Sequence, residues 1–422
     1  MKTSTNLNGS VRKWKRYQDR KSIDLDWCRE VPSHWSVAAL KRFARFQSGD
    51  GITSLEIEPE GEFPVYGGNG LRGYTSKYTH DGTFVLLGRQ GALCGNVNYA
   101  SGKFWASEHA VVVTPSKEIC QRWYGELLRA MNLGRYSMSA AQPGLSVQFV
   151  VNLQAPIPPL DEQRRIVAFL DREMAKIDAL IAKKERLIGL LQEKRTALIS
   201  HAVTKGLAPS LPMKDSRVEW VQEIPAHWRV LRNGFLFSDR DERGYPDLPI
   251  LEVSIHTGVK VREFSGEHVE QQAEDPATYK RSLTGDLAFN KMRMWQGAVG
   301  VTPVDGLVSP DYQVCRPRPG VHSRYFEQLF RTGFYMTEIN RYSHGIVKDR
   351  NRLYWDQFKE MPSLVPPAEE QVQIIAHIDA ITDRTERLIA KVREAIEKLR
   401  EYRTALISAA VTGKIDVQQE VD

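Results

Sequence analysis

One internal repeat constrains the fold of this chain more than any other feature. The segment DWCREVPSHWSV at Asp26–Val37 returns 193 positions later as EWVQEIPAHWRV at Glu219–Val230. Two further segments, LIAK and RTALIS, return 208 positions after their first copies. Because the offset grows, the frame must enclose two inserts of different length, and these inserts share almost no sequence. Solenoid repeats are shorter and more numerous, so the chain is predicted to use one frame twice around two different inserts.

The second repeated segment has the pattern of a long helix. Residues from Asp161 to about Lys205 and from Glu369 to about Val411 contain no proline and one glycine, Gly189. Apolar residues recur there at alternating spacings of four and three, which is the heptad pattern of a helix seam. Each segment follows a Pro-Pro pair, carries acids in its first turn and ends at a glycine that suits a C-terminal cap. Helices of roughly 68 Å favour an antiparallel pair of spacers, although each helix packing on its own domain is the alternative.

These patterns predict an α+β chain in which two α/β domains are separated by two long antiparallel helices that form a coiled coil, with an internal pseudo-two-fold repeat. The predicted parts are a basic, loosely ordered N-terminal extension (1–20), a first domain (21–157), a first helical spacer (158–207), a second domain (208–363), a second helical spacer (364–415) and a C-terminal tail (416–422). The predicted seam residues, which face the partner helix, are Leu170, Ile177, Ile181, Ile188, Leu191 and Leu198 in the first spacer and Ile378, Ile389, Ile396, Leu399 and Leu406 in the second.

The inserts combine short apolar runs, typical of β-strands, with turns rich in basic, amide and aromatic residues. The chain has 58 Lys and Arg against 52 Asp and Glu, a formal charge of +6, which permits a polyanionic partner without requiring one. Arg, Asn and Gln can bond base edges and phosphates; the alternative for each is a solvated or turn-stabilising group. The candidate DNA-binding residues are Arg72, Lys77, Arg89, Gln90, Arg135 and Gln142 in the first insert and Lys291, Arg293, Gln296, Lys348, Arg350 and Arg352 in the second. Two tryptophans of the second insert, Trp295 and Trp355, are expected to pack rather than to stack on bases.

Motifs for catalysis are missing from the sequence. Gly68, Gly70 and Gly73 have G-x-G-x-x-G spacing, but the stretch that follows them lacks the apolar periodicity of a helix. The glycines therefore indicate a loop rather than a dinucleotide site. No phosphate-binding loop, zinc-protease motif, nucleophile elbow or aminomethyltransferase motif is present. The four cysteines form no C-x-x-C pair, so no metal site is expected. No apolar run reaches the roughly 20 residues that span a bilayer, and a cytoplasmic location is expected.

In this order and number, the segments resemble the specificity (S) subunits of type I restriction-modification enzymes. The resemblance covers essentially everything after residue 20 and is carried by VEWVQEIPAHW, PVYGGNGLRGY, SAAQPGLS, PIPPLDEQRRI, NKMRMWQGAVG, GIVKDRNRLYW and the two RTALIS segments. It implies two target recognition domains that each read one half of a split double-stranded DNA site, held apart by the two helical spacers. The basic lead of 20 residues departs from the family pattern.

The resemblance also implies partners. Two methyltransferase subunits would carry S-adenosylmethionine and flip the target adenine, and restriction-translocase subunits would use ATP and Mg; this chain would be non-catalytic and bind no cofactor. Two other readings are open at this point. A stand-alone DNA-binding regulator would need the same basic loops and symmetry, whereas an enzyme with an unrecognised active site would turn over substrate alone.

Overall fold

The computed structural model describes residues 14–91, 93–116, 118–137, 143–262, 276–343 and 351–418. The chain divides into two compact units. Unit 1 comprises Met1–Glu185 and Arg393–Asp422, and unit 2 comprises Arg186–Val392. Each unit therefore contains one half of each of two long helices, and each unit is described by itself.

Unit 1 is built from short strands, two short helices and half of each long helix. Its strands are β1 (Arg20–Leu25), β2 (Cys28–Pro32), β3 (Ser36–Ala39), β4 (Ala44–Ser48), β5 (Phe63–Gly67), β6 (Gly70–Thr75), β7 (His80–Asp81), β8 (Phe84–Gly88), β9 (Val97–Ala100), β10 (Lys103–Ala106), β11 (Ala110–Pro115) and β12 (Gln154–Ile157). Its helices are α1 (Gln121–Ala130), α2 (Val147–Val150) and the first part of α3 (Leu160–Lys205).

Unit 2 contains a second set of strands and helices. Its strands are β13 (Met213–Val218), β14 (Val221–Pro225), β15 (Arg229–Arg232), β16 (Phe237–Asp239), β17 (Leu251–Ser254), β18 (Gly258–Val261), β19 (Lys280–Ser282), β20 (Leu287–Asn290), β21 (Val299–Val301), β22 (Gly306–Val308), β23 (Tyr312–Pro317) and β24 (Pro362–Val365). Its helices are α4 (Asn233–Leu236), α5 (Ser323–Phe330), α6 (Gly333–Tyr342), α7 (Trp355–Phe358) and the first part of α8 (Ala368–Val411).

The two inserts have the same strand topology although their sequences differ. Unit 1 has a four-stranded antiparallel sheet in the order β4-β11-β8-β9, and unit 2 has the order β16-β23-β20-β21. In unit 1 a second sheet has the order β6-β5-β10-β7, with β5 and β10 parallel. In unit 2 the hairpin β17–β18 and the pair β19–β22 are joined by a parallel bridge between Ile250 and Leu307. The predicted α+β class is therefore confirmed, and the inserts prove to be one architecture.

A constant offset of 202 positions relates the two inserts from β8 to α1 and from β20 to α5. Ser107, Arg122 and Arg129 correspond to Ser309, Arg324 and Arg331. These few identities are too sparse to be noticed against diverged neighbours, which is why the sequence indicated almost no similarity between the inserts.

The frame hairpin is the repeated element that precedes each insert. In unit 1 it is formed by β1 and β2, and in unit 2 by β13 and β14, with the same register and the same irregularity near the turn. The tryptophan that follows each hairpin, Trp35 or Trp228, is fully buried. A lysine on the first strand of each hairpin, Lys21 or Lys214, donates to the carbonyl oxygen of that tryptophan.

The long helices begin and end within one residue of the predicted bounds. Asp161 and Glu162 occupy the first turn of α3, and Glu369 and Glu370 occupy the first turn of α8, where carboxylates complement the helix dipole. Gly206 and Gly413 follow the helices with φ of +78° and +66°, the left-handed conformation that glycine adopts most readily. The predicted glycine caps are therefore confirmed.

Two ion pairs between α3 and α8 show that the helices are antiparallel in unit 1. In unit 1, Asp178 lies 3.6 Å from Arg403 and Glu185 lies 3.7 Å from Arg400. In unit 2, Arg195 Nη1 lies 2.6 Å from Glu386 Oε1. In unit 1 the order along α3 rises while the order along α8 falls, as an antiparallel pair requires.

The predicted seam residues differ in burial. Leu170, Ile177, Ile378, Ile389, Ile396, Leu399 and Leu406 are buried, whereas Ile181, Ile188 and Leu191 are half-buried. Leu198 is 39% exposed, so its place in the seam stays a prediction.

Residues 14–20 pack against other parts of unit 1, which corrects for these residues the prediction of a loosely ordered extension over 1–20. Trp14 packs edge-on against Phe169 with ring centroids 4.9 Å apart and donates to Tyr402 Oη at 3.2 Å. The hydroxyl of Tyr17, which is 8% exposed, donates to Glu162. Aromatic residues in a basic stretch were the signal for this packing. Residues 1–13 lie outside the described residues.

The carboxylate of Glu162 is the hub that joins the frame hairpin of unit 1 to α3. Glu162 is 6% exposed and accepts hydrogen bonds from Trp35 Nε1 at 3.0 Å and from Tyr17 Oη; His34 Nε2 lies 2.7 Å away. The equivalent Glu370 of unit 2 pairs with His227 at 2.7 Å, but Trp228 Nε1 has no hydrogen-bond partner among the described residues.

We expect Glu162→Ala to lower the free energy of unfolding more than Glu370→Ala does. The first substitution leaves the buried Trp35 and Tyr17 donors unpaired, at about 1–3 kcal/mol each, whereas Trp228 loses no bond in the second. Urea unfolding of the full chain, followed by tryptophan fluorescence, measures the difference. Equal losses for the two variants would contradict the hub role.

Candidate nucleic-acid interface

Three segments of unit 1 meet at the C-terminal end of β8. Arg89 donates its backbone N–H to His109 O at 2.9 Å and accepts the backbone N–H of Leu145 at 2.8 Å. Gly91 donates its N–H to Pro143 O at 2.9 Å. These bonds hold together the loop 88–96, the turn 107–109 and the segment 143–145, which we call loop edge 1.

Unit 2 brings the corresponding segments together at the end of β20. Lys291 O accepts the N–H of Leu353 at 2.9 Å, as Arg89 O accepts that of Leu145. The ammonium group of Lys291 donates to Pro310 O at 3.1 Å. The loop 290–298, the turn 309–311 and the segment 351–353 form loop edge 2.

The long loops of the two edges share two backbone features. Cys94 N–H donates to Gly91 O, and the equivalent Gln296 N–H donates to Arg293 O, both at 3.0 Å. Both loops end at a glycine with positive φ, Gly95 at +88° and Gly297 at +91°. At matching positions, Gln90 corresponds to Met292 and Gly91 to Arg293. The backbone differs at the second of these positions, with φ of +92° at Gly91 and −124° at Arg293, so equivalent loops of similar but not identical path present different side chains in the two units.

The turns of the two edges are also built alike. Ser107 Oγ accepts the N–H of His109 at 3.3 Å, and Ser309 Oγ accepts the N–H of Asp311 at 3.4 Å. Each turn therefore carries an ionisable residue, His109 or Asp311. Sequence reasoning missed both residues, and the matching serine 202 positions apart is the signal that would have found them.

The predicted contacts after β8 and β20 fall on equivalent loops, which the sequence did not indicate. Gln90, Arg293 and Gln296 are exposed. Arg89 Nη1 instead points back to Ser48 Oγ at 3.3 Å, and Lys291 is half-buried.

Loop edge 2 contains a further residue that was predicted to bind DNA. Arg352 Nη1 lies 3.5 Å from Asp311 Oδ1 on the exposed surface, a pair that contributes little stability by itself. Burial and the neighbouring Lys280 hold the pKa of Lys291 below its usual value.

The stretch that contains Gly68, Gly70 and Gly73 forms the β5–β6 hairpin and not a strand-to-helix turn, so the loop interpretation is confirmed. A Cβ atom at Gly68 would lie 3.0 Å from Gln90 O and 3.2 Å from His109 O. Asn69 Oδ1 accepts from Asn96 Nδ2 at 3.1 Å. The tip of the hairpin is therefore part of the surface of loop edge 1.

Three predicted residues of the first insert lie outside loop edge 1. Arg72 is exposed on β6, and Lys77 is exposed in the loop that follows β6. Arg135 is held by Asp26 at 3.2 Å and lies over the ring of Tyr136. Gln142, Lys348 and Arg350 fall outside the described residues.

A buried ion pair fixes the chain that leaves β16 beside loop edge 2. Arg240 Nε lies 2.8 Å from Asp286 Oδ2, and the two side chains are 8% and 3% exposed. Burial raises the pKa of Asp286, although hydrogen bonds from Leu283 and the charge of Arg240 oppose the rise. Separating the two side chains would leave a buried charge without a partner. The pair therefore holds the chain in place where it leaves β16.

The two tryptophans of the second insert pack against the core of unit 2, as expected; that they do not stack on bases stays a prediction. Trp295 Nε1 also donates to Met292 O at 3.0 Å. Trp295 therefore anchors the loop that carries Arg293.

Among the described residues, no helix is long and apolar enough to span a membrane. That same part of the chain contains no group of three or more His, Cys, Asp and Glu arranged to hold a metal ion.

Comparisons with known proteins match this architecture. Residues 32–188 match the family "Type I restriction modification DNA specificity domain". The specificity subunit of the type I restriction enzyme EcoprrI of Escherichia coli is 47% identical over 137 residues, which is 32% of this chain and 34% of that protein. A putative type I specificity subunit of Haemophilus influenzae is 22% identical over 84% of this chain and 90% of its own length.

Solved structures are similar in fold over most of the chain. One is a chain from a type I restriction-modification system, with a TM-score of 0.60, 16% identity and coverage of 91% of this chain and 99% of that chain. The HsdS subunit of Thermoanaerobacter tengcongensis has a TM-score of 0.50 at 16% identity, with coverage of 91% and 98%.

We expect Gly88→Ala to displace the β5–β6 hairpin from loop edge 1. A Cβ atom at Gly88 would lie 2.2 Å from Gly68 O, a distance that requires the backbone to move. Hydrogen exchange at the amides of loop 88–96 should rise. Gly51→Ala is the matched control because a Cβ atom there meets nothing within 4 Å; unchanged exchange in both variants would contradict the contact.

Proposed function

We infer that this chain, which belongs to the family of type I restriction-modification specificity subunits, recognises a split double-stranded DNA site and directs methyltransferase and restriction subunits to it. The carrying observation is that two domains of one topology present different side chains from equivalent loops. The chain is a non-catalytic subunit, in agreement with the missing catalytic motifs.

The repeat supports a site with two unrelated halves. Two equivalent domains can each dock on a major groove of one duplex, as the two halves of dimeric repressors do. Gln90 and Gly91 in loop edge 1 correspond to Met292 and Arg293 in loop edge 2, and these side chains offer different hydrogen bonds and apolar contacts to bases. Half-sites of different sequence follow.

The exposed candidates are proposed as the DNA contacts. Gln90, Arg293 and Gln296 lie on the loops after β8 and β20, and Arg352 lies beside Asp311 on loop edge 2. An arginine can bond O6 and N7 of guanine, and a glutamine can bond adenine. Arg72 and Lys77, which lie on and after β6, are proposed as phosphate contacts of the first domain.

Catalysis is proposed to reside in the partners. Two methyltransferase subunits would bind S-adenosylmethionine, and restriction-translocase subunits would use ATP and Mg. The frame hairpin and the helix ends occur twice in the chain, which supports two copies of one partner. This complex would act on DNA in the cytoplasm.

We expect a single split motif, methylated once on each strand, when the chain is co-expressed with its neighbouring methyltransferase subunit in a methylation-free host. Genome-wide sequencing of N6-methyladenine reads the motif. A stable complex that leaves the genome unmethylated would contradict the proposed function.

The two long helices are proposed to set the gap between the half-sites. Adding one heptad to both α3 and α8, near Gly189 and at the facing position of α8, preserves the seam and adds about 10 Å of helix. The gap in the methylated motif should lengthen by about three base pairs, at about 3.4 Å each. The control variant carries two added glycine-serine loops at the surfaces of the domains, so that the chain is lengthened but the helices are not. A gap that stays constant in the helix variant would contradict the spacer role.

A further inference from the structure

We propose that Arg89 and Lys291 are positioning residues of the two recognition loops and do not contact DNA. The inference deepens the proposed function and rests on it. Arg89 and Lys291 occupy equivalent positions in the two units. In each unit, the residue at this position would hold the three segments of its loop edge in place relative to each other.

The backbone of this position is used in the same way in both units. Arg89 O accepts the N–H of Leu145 and Lys291 O accepts the N–H of Leu353, at 2.8 and 2.9 Å. The third segment is bound through different atoms. Arg89 uses its backbone N–H, which donates to His109 O at 2.9 Å, whereas Lys291 uses its side chain on Pro310 O. One residue thus ties the long loop to both other segments of its edge.

Both side chains are half-buried and donate hydrogen bonds to other segments of their own unit. The guanidinium of Arg89 donates to Ser48 Oγ at the end of β4. The ammonium of Lys291 donates to Pro310 O beside Asp311, with the ring of Tyr354 5.9 Å from Nζ. A DNA contact would require these groups to leave Ser48 and Pro310, whereas Gln90 and Arg293 are exposed on the same loops.

The arrangement gives the Lys291 ammonium an effect on residues that it does not touch. By holding Pro310 O it fixes the turn that carries Asp311, and Asp311 lies 3.5 Å from Arg352. Leu353, next to Arg352, is bound to the Lys291 carbonyl. The positions of Arg293, Asp311 and Arg352 therefore depend together on Lys291.

Lys291→Met tests the proposal because methionine retains an apolar stem without the donor. The complex of the full chain with its methyltransferase subunits is titrated with duplexes that carry single-base variants of the motif found for the wild type, at several salt concentrations. Loss of the charge-assisted bond should lower the ratio of specific to non-specific affinity by roughly ten-fold or more. The loss should spread over several positions of one half-site, with the salt dependence of binding unchanged.

Matched variants separate positioning from contact. Lys291→Arg should restore most of the specificity, because arginine keeps a positively charged donor at this position. Arg89→Met keeps the backbone bonds to His109 and Leu145 and removes only the bond to Ser48, so it should lower specificity for the other half-site less than Lys291→Met lowers it for its own. Arg293→Ala, two residues away, should relax one base position, or lower the salt dependence by about one ion if it contacts a phosphate.

Three outcomes would overturn the proposal. A fall in the salt dependence with an unchanged motif would make Lys291 a phosphate contact, and relaxation of a single position would make it a base contact. Equal losses at both half-sites, with a lower Tm, would make its role a general one in stability. Failure of the proposed function would appear differently, as a wild-type complex without any preferred motif.

Discussion

The packing of a buried tryptophan against the end of a helix is the contact on which the duplicated architecture depends. Trp35 lies beside Gly413, where a Cβ atom would come within 3.1 Å of the indole and 2.4 Å of Pro32. In unit 2 a Cβ atom at Gly206 would lie 3.5 Å from the indole of Trp228. Only glycine combines this close approach with the left-handed backbone that ends the helix. The frame hairpin, the end of one long helix and the start of the other are therefore fixed together in each unit.

A fixed frame leaves the loop edges free to diverge, because main-chain atoms make most of the bonds that shape them. The N–H groups of Leu145 and Leu353, the serine turns and the glycines with positive φ set the path of the loops. The side chains at positions such as Gln90 and Met292 are not needed for that path. New side chains can thus appear at these positions without a cost in folding, which is the property that a protein needs when the sequence it recognises must change.

The sequence predicts the long helices well because their signals are local and redundant. Prolines, first-turn acids, heptad spacing and terminal glycines all agree on the same bounds. The equivalence of the inserts was not predictable, because it rests on backbone hydrogen bonds that many sequences can make. Side-chain partners were also hidden: Arg89, Lys291 and Gln90 look alike as loop residues, yet the side chains of the first two donate hydrogen bonds within their own unit. The packing of Trp14 and Tyr17 depends on α3 and α8, far away in sequence.

The contacts of the N-terminal segment have a consequence for the order in which the gene can encode the two domains. In unit 2, residues 206–212 join the end of α3 covalently to the frame hairpin. In unit 1 the same junction is made without a covalent bond: Asp416 N–H donates to Lys15 O at 2.8 Å, and Arg20 Nη1 donates to Gly413 O at 2.7 Å. A circular permutant, joined between residues 418 and 14 and opened between 206 and 212, would keep both sets of contacts. The fold therefore does not dictate which recognition domain is translated first.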